Sequence, residues 1–408
     1  MVNADPIAAN GSNNYYGPTL PLAEGFKGAM IVSADVQVAA IANINTPNFA
    51  AASSYLAASE GATTVQLPLL MANNAGYNTW YAVQNTGSTP ATVNVAYSSG
   101  LNVGPVEIPS GAARTFYQQP GKGETHSQAV FSAIISSNQP IVAAVIIENP
   151  KEMLAYTGFT GGAKRPVMPL INTNNIGIQT GVQIQNIGDA ATNVTVTYTP
   201  APGANNGAAC TETQSIPAKQ SRTFALHAFA PGETPGTGDD NSNCVDGARF
   251  VGSAAVTANS ADTDLTVIVN QSPTGGASAV VAGSYGAFNP DAATSKVVLP
   301  LVLKNRGAAF KFWTGFNIQN LSNTNSTLEC TFTQFGSMPG PLVRTYTLNA
   351  NSPANVLQNA EAGLPEDYYG SATCTTNPAV PIVGVVNEIS QTDPNSERLL
   401  VYEGANIE

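Results

Sequence analysis

Apolar and polar residues alternate strictly at three places along the chain, which is the pattern of a β-strand with one face on a core. The alternating segments span 93–97, 194–198 and 328–332. Their apolar positions are Val93, Val95, Tyr97, Val194, Val196, Tyr198, Leu328, Cys330 and Phe332. Small or polar residues fill the positions between them, so we expect one face of each strand to be buried. No segment shows a helical period.

Each alternating strand lies inside a longer repeat. An apolar-Pro-Leu phrase begins at Leu67, Met168 and Leu299, and a strand ending in Gln-Asn follows each phrase, with the pairs beginning at Gln84, Gln185 and Gln319. A further short strand comes after the alternating one. It carries Arg114-Thr115-Phe116, Arg222-Thr223-Phe224 and, more loosely, Arg344-Thr345-Tyr346.

The back half of each repeat has its own signature. It begins at Ser132-Ala133, Ser253-Ala254 and Ser371-Ala372, continues through a polar bend into a Val/Ile-rich strand, and ends in a short strand with Tyr156, Tyr285 or Tyr402. About seven short strands separated by turn residues predict a β-sandwich. We therefore expect an all-β protein of tandem immunoglobulin-like sandwiches, with domains at 63–165, 166–296 and 297–408.

Residues 1–62 match the back half of the repeat alone. Strands without a matching front half would leave a sheet edge and apolar faces unpaired. Two interpretations follow: the segment folds against the first full repeat or belongs to a longer array, or a neighbouring subunit completes it by strand addition. The candidate contact residues are Gly28, Met30, Ile31, Val36, Val38 and Ile41.

The composition favours a protein that packs against copies of itself. Only 10% of the residues are charged, whereas about 25% is usual, so few ions need to be desolvated at a contact. The net charge of −11 argues against nucleic acid and anionic membranes as partners. The longest apolar stretch, 141–147, is too short to span a bilayer. Residues 1–10 lack a secretory signal, so we expect a mature or trimmed product.

The four cysteines fall in the second and third repeats. Cys330 and Cys374 align with Val196 and Val256, and Cys210 and Cys244 lie in loop-like stretches, so we expect one disulfide within each repeat. Zinc is the competing interpretation, but the chain has no CxxC spacing and two histidines. Disulfides predict an extracellular or cell-surface location.

One loop could hold calcium. Its oxygen-bearing residues are Asp239, Asp240, Asn241, Asn243 and Asp246. Carboxylate and amide oxygens at this density suit Ca²⁺, but Cys244 stands where a calcium loop needs a glycine. A solvated acidic loop is the alternative.

Two tryptophans are candidates for contacts. If Tyr81 and Val83 point inward, Trp80 points outward, and the same alternation turns Trp313 outward. Such residues can pack between domains or subunits, reach the core through a bulge, or contact a ligand such as a sugar.

Catalytic motifs are missing from the sequence. It contains no GxSxG, HExxH, GxxxxGK[ST] or GxGxxG. We expect His126 and His227 to be surface or packing residues, and Glu148 and Glu388 to be solvated charges at strand ends. The chain is therefore not expected to be an enzyme.

The phrase Leu67-Pro68-Leu69, the bend at 73–78 and the segment Gln84-Asn85-Thr86-Gly87 before 93–97 resemble repeats in large secreted surface proteins of filamentous bacteria, the Chloroflexi in particular. The resemblance implies an immunoglobulin-like surface or sheath repeat without attached chemistry. We expect a self-assembling, head-to-tail subunit of an extracellular filament, sheath or S-layer. The alternative is an adhesin or carbohydrate-binding stalk that recognises cell-surface glycans.

Overall fold

The structure is a computed structural model that describes the whole chain except residues 1–4, 48–49, 176, 203–204, 230–240, 261–262, 275–280, 308–310, 336–340 and 391–398. The described residues are all-β and contain no α-helix. Short 3-10 turns occur at Gly17–Thr19, Pro290–Ala292 and Gln358–Ala360. All paired strands in the described part are antiparallel.

The strands fall into a hairpin and three units. The N-terminal hairpin consists of β1 (Ile41–Asn45) and β2 (Ala52–Leu56). Unit 1 consists of β3 (Ala62–Met71), β4 (Asn78–Asn85), β5 (Ala91–Tyr97), β6 (Asn102–Ile108), β7 (Ala113–Tyr117), β8 (Val130–Glu148) and β9 (Met153–Thr157). Unit 2 consists of β10 (Val167–Thr173), β11 (Ile178–Asn186), β12 (Thr192–Pro200), β13 (Cys210–Ile216), β14 (Ser221–Phe224), β15 (Asn241–Ser242), β16 (Phe250–Ala258), β17 (Leu265–Pro273) and β18 (Gly283–Gly286). Unit 3 consists of β19 (Lys296–Lys304), β20 (Trp313–Asn320), β21 (Ser326–Gln334), β22 (Leu342–Leu348), β23 (Pro353–Leu357), β24 (Tyr368–Asn377), β25 (Ile382–Ile389), β26 (Leu399–Glu403) and β27 (Ala405–Asn406).

Unit 2 and unit 3 each consist of two sheets. We call the sheet with the alternating strand the front sheet and the sheet with the Gln-Asn strand the back sheet. The front sheets have the order β10-β16-β12-β13-β15 and β22-β21-β24-β19-β27, and the back sheets have the order β14-β11-β17-β18 and β23-β20-β25-β26. In unit 1 the long strand β8 belongs to both layers: its first half pairs with β3 and β5, and its second half pairs with β4 and β9.

The inward residues of the two sheets share one core in each unit. In unit 1, Tyr81 and Val83 of β4 and Val93 and Val95 of β5 belong to the same buried cluster. Units 2 and 3 each have an equivalent cluster. The intervening residues of β5 are exposed, as the alternation predicts, because neighbouring side chains on a strand point to opposite faces.

The repeated apolar-Pro-Leu phrases mark bulges. The pairing register shifts after Leu67 in β3, after Met168 in β10 and after Leu299 in β19. Proline cannot donate to a ladder, so its place beside a bulge is the one that a sheet tolerates.

The repeated Gln-Asn pairs anchor turns. The amide of Asn85 donates to the carbonyls of Thr89 and Ile108 at 2.8 and 2.9 Å, and its oxygen accepts from the Gly87 N–H at 2.9 Å. Asn186 and Asn320 make equivalent contacts and are fully buried. The repeated phrases thus satisfy buried backbone groups.

One sequence assignment was wrong. Arg344-Thr345-Tyr346 lies on β22, which pairs with β21, so it is not the counterpart of the Arg-Thr-Phe segments. Those segments lie on β7 and β14, where Phe116 and Phe224 pair with Tyr81 and Val182. The counterpart in unit 3 is β23, whose Val356 pairs with Phe316. The Arg344 guanidinium instead bonds Glu361 at 3.1 Å, so a different contact accounts for the arginine.

Candidate functional site

The last short strands of the three units and the hairpin strand β2 meet at the centre of the molecule. Thr157 of β9 donates to the carbonyl of Leu56 in β2. Glu403 of β26 accepts from the backbone N–H of Gly286 in β18. Burial raises the pKa of the Glu403 carboxyl, while backbone N–H groups including those of Gly286 and Leu56 act in the opposite direction. Hydrogen bonds therefore join all four parts of the chain here.

The outer face of each back sheet packs against another part of the chain. Ile268 and Ala282 of unit 2 belong to the core of unit 1. Val385 and Val401 of unit 3 belong to the core of unit 2. Units 1 and 2 thus each cover the back sheet of the unit that follows in sequence.

The hairpin closes this arrangement. On one side, Ile41 packs against the core of unit 3. On the other side, Ile44 and Tyr55 pack with Trp80 and Ile146 on the outer face of unit 1. The hairpin therefore occupies a fourth position, equivalent to a back sheet, between units 3 and 1.

The segment before the hairpin is exposed. Its apolar residues have the following exposed fractions: Phe26 55%, Met30 63%, Ile31 64%, Val32 46%, Val36 69% and Val38 40%. None of residues 27–38 lies in a strand, and their backbone groups form no hydrogen bond to another described residue. Its counterpart in unit 1, the first half of β8, lies between β3 and β5.

The predicted contact residues therefore divide into two groups. Gly28, Met30, Ile31, Val36 and Val38 lie in the exposed segment. Ile41 is packed within the chain.

The two tryptophans lie on back sheets. Trp80 packs on the hairpin, and its indole N–H donates to Glu148 at 3.1 Å. Trp313 is half-buried on β20, opposite Ile389 of β25. Packing between parts of one chain thus accounts for the outward direction of Trp80.

Both disulfides are present and have the pairing expected from the sequence, Cys210–Cys244 and Cys330–Cys374. Cys330 and Cys374 are direct partners on β21 and β24. Val196 and Val256 hold the same paired positions in unit 2. The second disulfide therefore replaces an apolar pair of the repeat.

Part of the calcium candidate can be placed. Asp239 and Asp240 lie outside the described residues. Asn241 is in β15, and the Asn243 side-chain oxygen accepts from the Thr211 N–H at 2.7 Å. Among the described residues, no group of three or more His, Cys, Asp or Glu side chains is placed to hold a metal ion.

A polar network surrounds His126 in unit 1. The Gln118 amide nitrogen donates to Glu124 at 2.9 Å. This orients the Gln118 side-chain oxygen towards the histidine, where it accepts from His126 Nε2 at 2.6 Å. Nδ1 is then the acceptor for the Ser99 hydroxyl at 2.8 Å. Burial lowers the pKa of His126 to about 4. So weak a base gives Ser99 little activation as a nucleophile, and the ring stacks on Phe131. His227 is exposed.

The expectation that Glu388 is a solvated charge was wrong. Glu388 lies within β25, is 3% exposed, and pairs with Thr314 and Leu400. Burial raises the pKa of its carboxyl to about 8, and its Oε1 has no hydrogen-bond partner among the described residues. The repeat contained the signal: the equivalent positions are Ile147 and Gln271, which are fully buried.

Comparisons with known proteins give little. No family model and no curated protein matches the chain. A solved structure, the crystal structure of Thermotoga maritima 1070, is 18% identical and matches 29% of this chain and 97% of its own, with a TM-score of 0.25. A similarity at that level carries no argument. Within the described residues, no helix has the length and apolar character needed to cross a bilayer.

Proposed function

We propose that the protein is a structural subunit of an extracellular filament, sheath or surface layer, and that it assembles by strand addition and polar packing between units. The observation that carries the proposal is the exposed segment 26–38. Its apolar residues correspond in the repeat to the first half of β8, which lies between β3 and β5 in unit 1, and the backbone groups of residues 27–38 form no hydrogen bond to another described residue. Such a segment favours pairing with another strand.

Three further observations support the proposal. The hairpin fixes the chain that follows the segment, because β1 pairs with β2, and β2 is joined to β9 and β26 at the centre of the molecule. The two disulfides favour an oxidising, extracellular environment. A chain in which only 10% of the residues are charged keeps the desolvation cost of close packing low.

The test is assembly of the full chain, followed by negative-stain electron microscopy and sedimentation. The informative variant is Ile31→Lys, and the matched control is Val245→Lys, because these side chains are 64% and 63% exposed. We expect the wild type and Val245→Lys to form regular fibres or sheets and Ile31→Lys to stay dispersed. Dispersed wild-type protein under all conditions contradicts the proposal. A parallel sample with a calcium chelator tests the 239–246 loop.

A further inference from the structure

The three front sheets differ in how their outermost strands are protected. In unit 1 the edge strand β6 contains Pro105, and the register of its pairing with β5 shifts between Val93 and Val95. In unit 2 the strand β13 is covered by β15, which pairs with Glu212 and Thr213. Proline, bulges and covering strands are the means by which proteins prevent edge pairing.

The edge of unit 3 has none of these protections. The strand β22 is seven residues long, contains no proline and pairs in unbroken register with β21. No described strand lies on its other side. The residues Val343, Thr345 and Thr347 are exposed and uncharged. Valine and threonine are β-branched and favour strands, so these positions suit contact with an added strand.

The Cys330–Cys374 pair shows which backbone groups of β22 point to the open edge. Cys330 and Cys374 are direct partners with a Cα–Cα distance of 4.0 Å, which fits the narrow, non-hydrogen-bonded type of antiparallel pair. The N–H and C=O of Cys330 therefore point to β22, where they pair with Arg344. Because these directions alternate along a strand, Val343, Thr345 and Thr347 direct their N–H and C=O groups to the open edge. The Val343 C=O accepts from the Arg344 guanidinium at 3.1 Å, whereas the backbone groups of Thr345 and Thr347 have no hydrogen-bond partner there among the described residues.

We propose that the β22 edge of one copy accepts the segment 26–38 of a second copy as an added strand. The inference rests on the proposed function and names the surface that receives the segment. Donor and acceptor are different surfaces, so the contact is heterologous, and it repeats as a filament when the rotation between copies does not close a ring. The donor supplies apolar side chains on a backbone that is not paired with another described strand, and the acceptor supplies the outward backbone groups of Thr345 and Thr347.

The test is Thr345→Pro in the full chain, with Thr345→Ser as the matched control. Proline removes one free N–H at the edge without breaking the ladder to β21, a position that sheets tolerate. We expect Thr345→Pro to raise the concentration needed for assembly about tenfold or more, while Thr345→Ser assembles like the wild type. Thr347→Pro provides a second variant in the same row if Thr345→Pro loses its far-ultraviolet circular dichroism.

Mixing the two classes of variant identifies the partner. Thr345→Pro leaves the donor segment 26–38 unchanged, and Ile31→Lys leaves the β22 edge unchanged. At a concentration where the wild type assembles and neither variant does, each variant alone should remain monomeric, and the mixture should give one-to-one dimers in size-exclusion chromatography with light scattering.

The outcomes separate the two proposals. If both proline variants assemble normally while Ile31→Lys does not, β22 is not the receiving edge, although strand addition stands. If both classes of variant assemble normally, both proposals fall. A mixture that stays monomeric shows that the segment does not pair with β22 of a second copy.

Discussion

The hydroxyl of Tyr285 bonds both backbone groups of Leu170, a residue 115 positions earlier: it donates to the carbonyl at 2.5 Å and accepts from the N–H at 3.2 Å. Tyr156 and Leu69 form the same pair in unit 1, and Tyr402 and Leu301 form it in unit 3. Each pair satisfies the bulge that follows the proline of the repeated phrase. The tyrosine thereby ties the last strand of the back sheet to the first strand of the unit, which belongs to the front sheet.

Replacing Tyr285 by Phe should destabilise unit 2. The ring still fills the core, but the N–H and C=O of Leu170 lose their buried partner, which costs about 1–3 kcal/mol. We expect the urea midpoint of unfolding, followed by circular dichroism, to fall. Tyr16→Phe is the control, because Tyr16 is 60% exposed. An equal midpoint for Tyr285→Phe and the wild type contradicts this role.

The Cys330–Cys374 bond can be removed without a cavity. The double substitution Cys330→Val and Cys374→Val reproduces the Val196 and Val256 pair of unit 2. The decrease in the free energy of unfolding should therefore reflect the cross-link alone. The loop-entropy relation gives about 4 kcal/mol for a sequence separation of 44. Urea unfolding of the variant and of oxidised and reduced wild type measures it. A variant as stable as the oxidised protein would show that the bond adds nothing to apolar packing.

Glu388 makes stability depend on pH. The pKa of its carboxyl is about 8 in the folded chain, against a reference value of 4.5, so the unfolded chain loses this proton first as pH rises. The contribution of Glu388 to the free energy of unfolding is complete below pH 4.5 and falls as the pH rises to 8. At pH 7 the decrease is about 3 kcal/mol. Glu388→Gln stays neutral and should melt at a higher temperature than the wild type at pH 8, and at a similar temperature at pH 4.5. Glu107→Gln, at an exposed position, is the control; a gap that does not change with pH counts against the titration.

Local pattern was sufficient for much of the fold. The alternation at 93–97 placed Val93 and Val95 in the core, and the aligned Cys330 and Cys374 were expected to form a disulfide, because period-two patterning and repeat alignment are properties of one or two strands. Trp80 was expected to point outward for the same reason.

Features that depend on contacts between units could not be predicted. Nothing in the sequence around Tyr55 or Ile268 shows that the hairpin and three back sheets pack around one centre, since such contacts join residues far apart in the chain. The Arg-Thr-Tyr segment was assigned wrongly because two of its residues match the Arg-Thr-Phe segments and the third is also aromatic, although its strand pairs with a different partner. The burial of Glu388 could have been inferred from its repeat position, but a lone carboxylate is normally solvated.

The contact between units 2 and 3 can be tested at Gly283. A Cβ built at Gly283 of β18 would lie 2.3 Å from Val401 Cγ2 and 3.1 Å from Val401 Cβ, so the two strands approach this closely because the glycine has no side chain. Gly283→Ala should cost about 1–3 kcal/mol through overpacking. Val401→Ala makes room for the added methyl group, so the double variant should be more stable than the sum of the single effects predicts. Urea unfolding of the four proteins gives the coupling energy, and additive effects would mean that the strands do not meet at this point in solution.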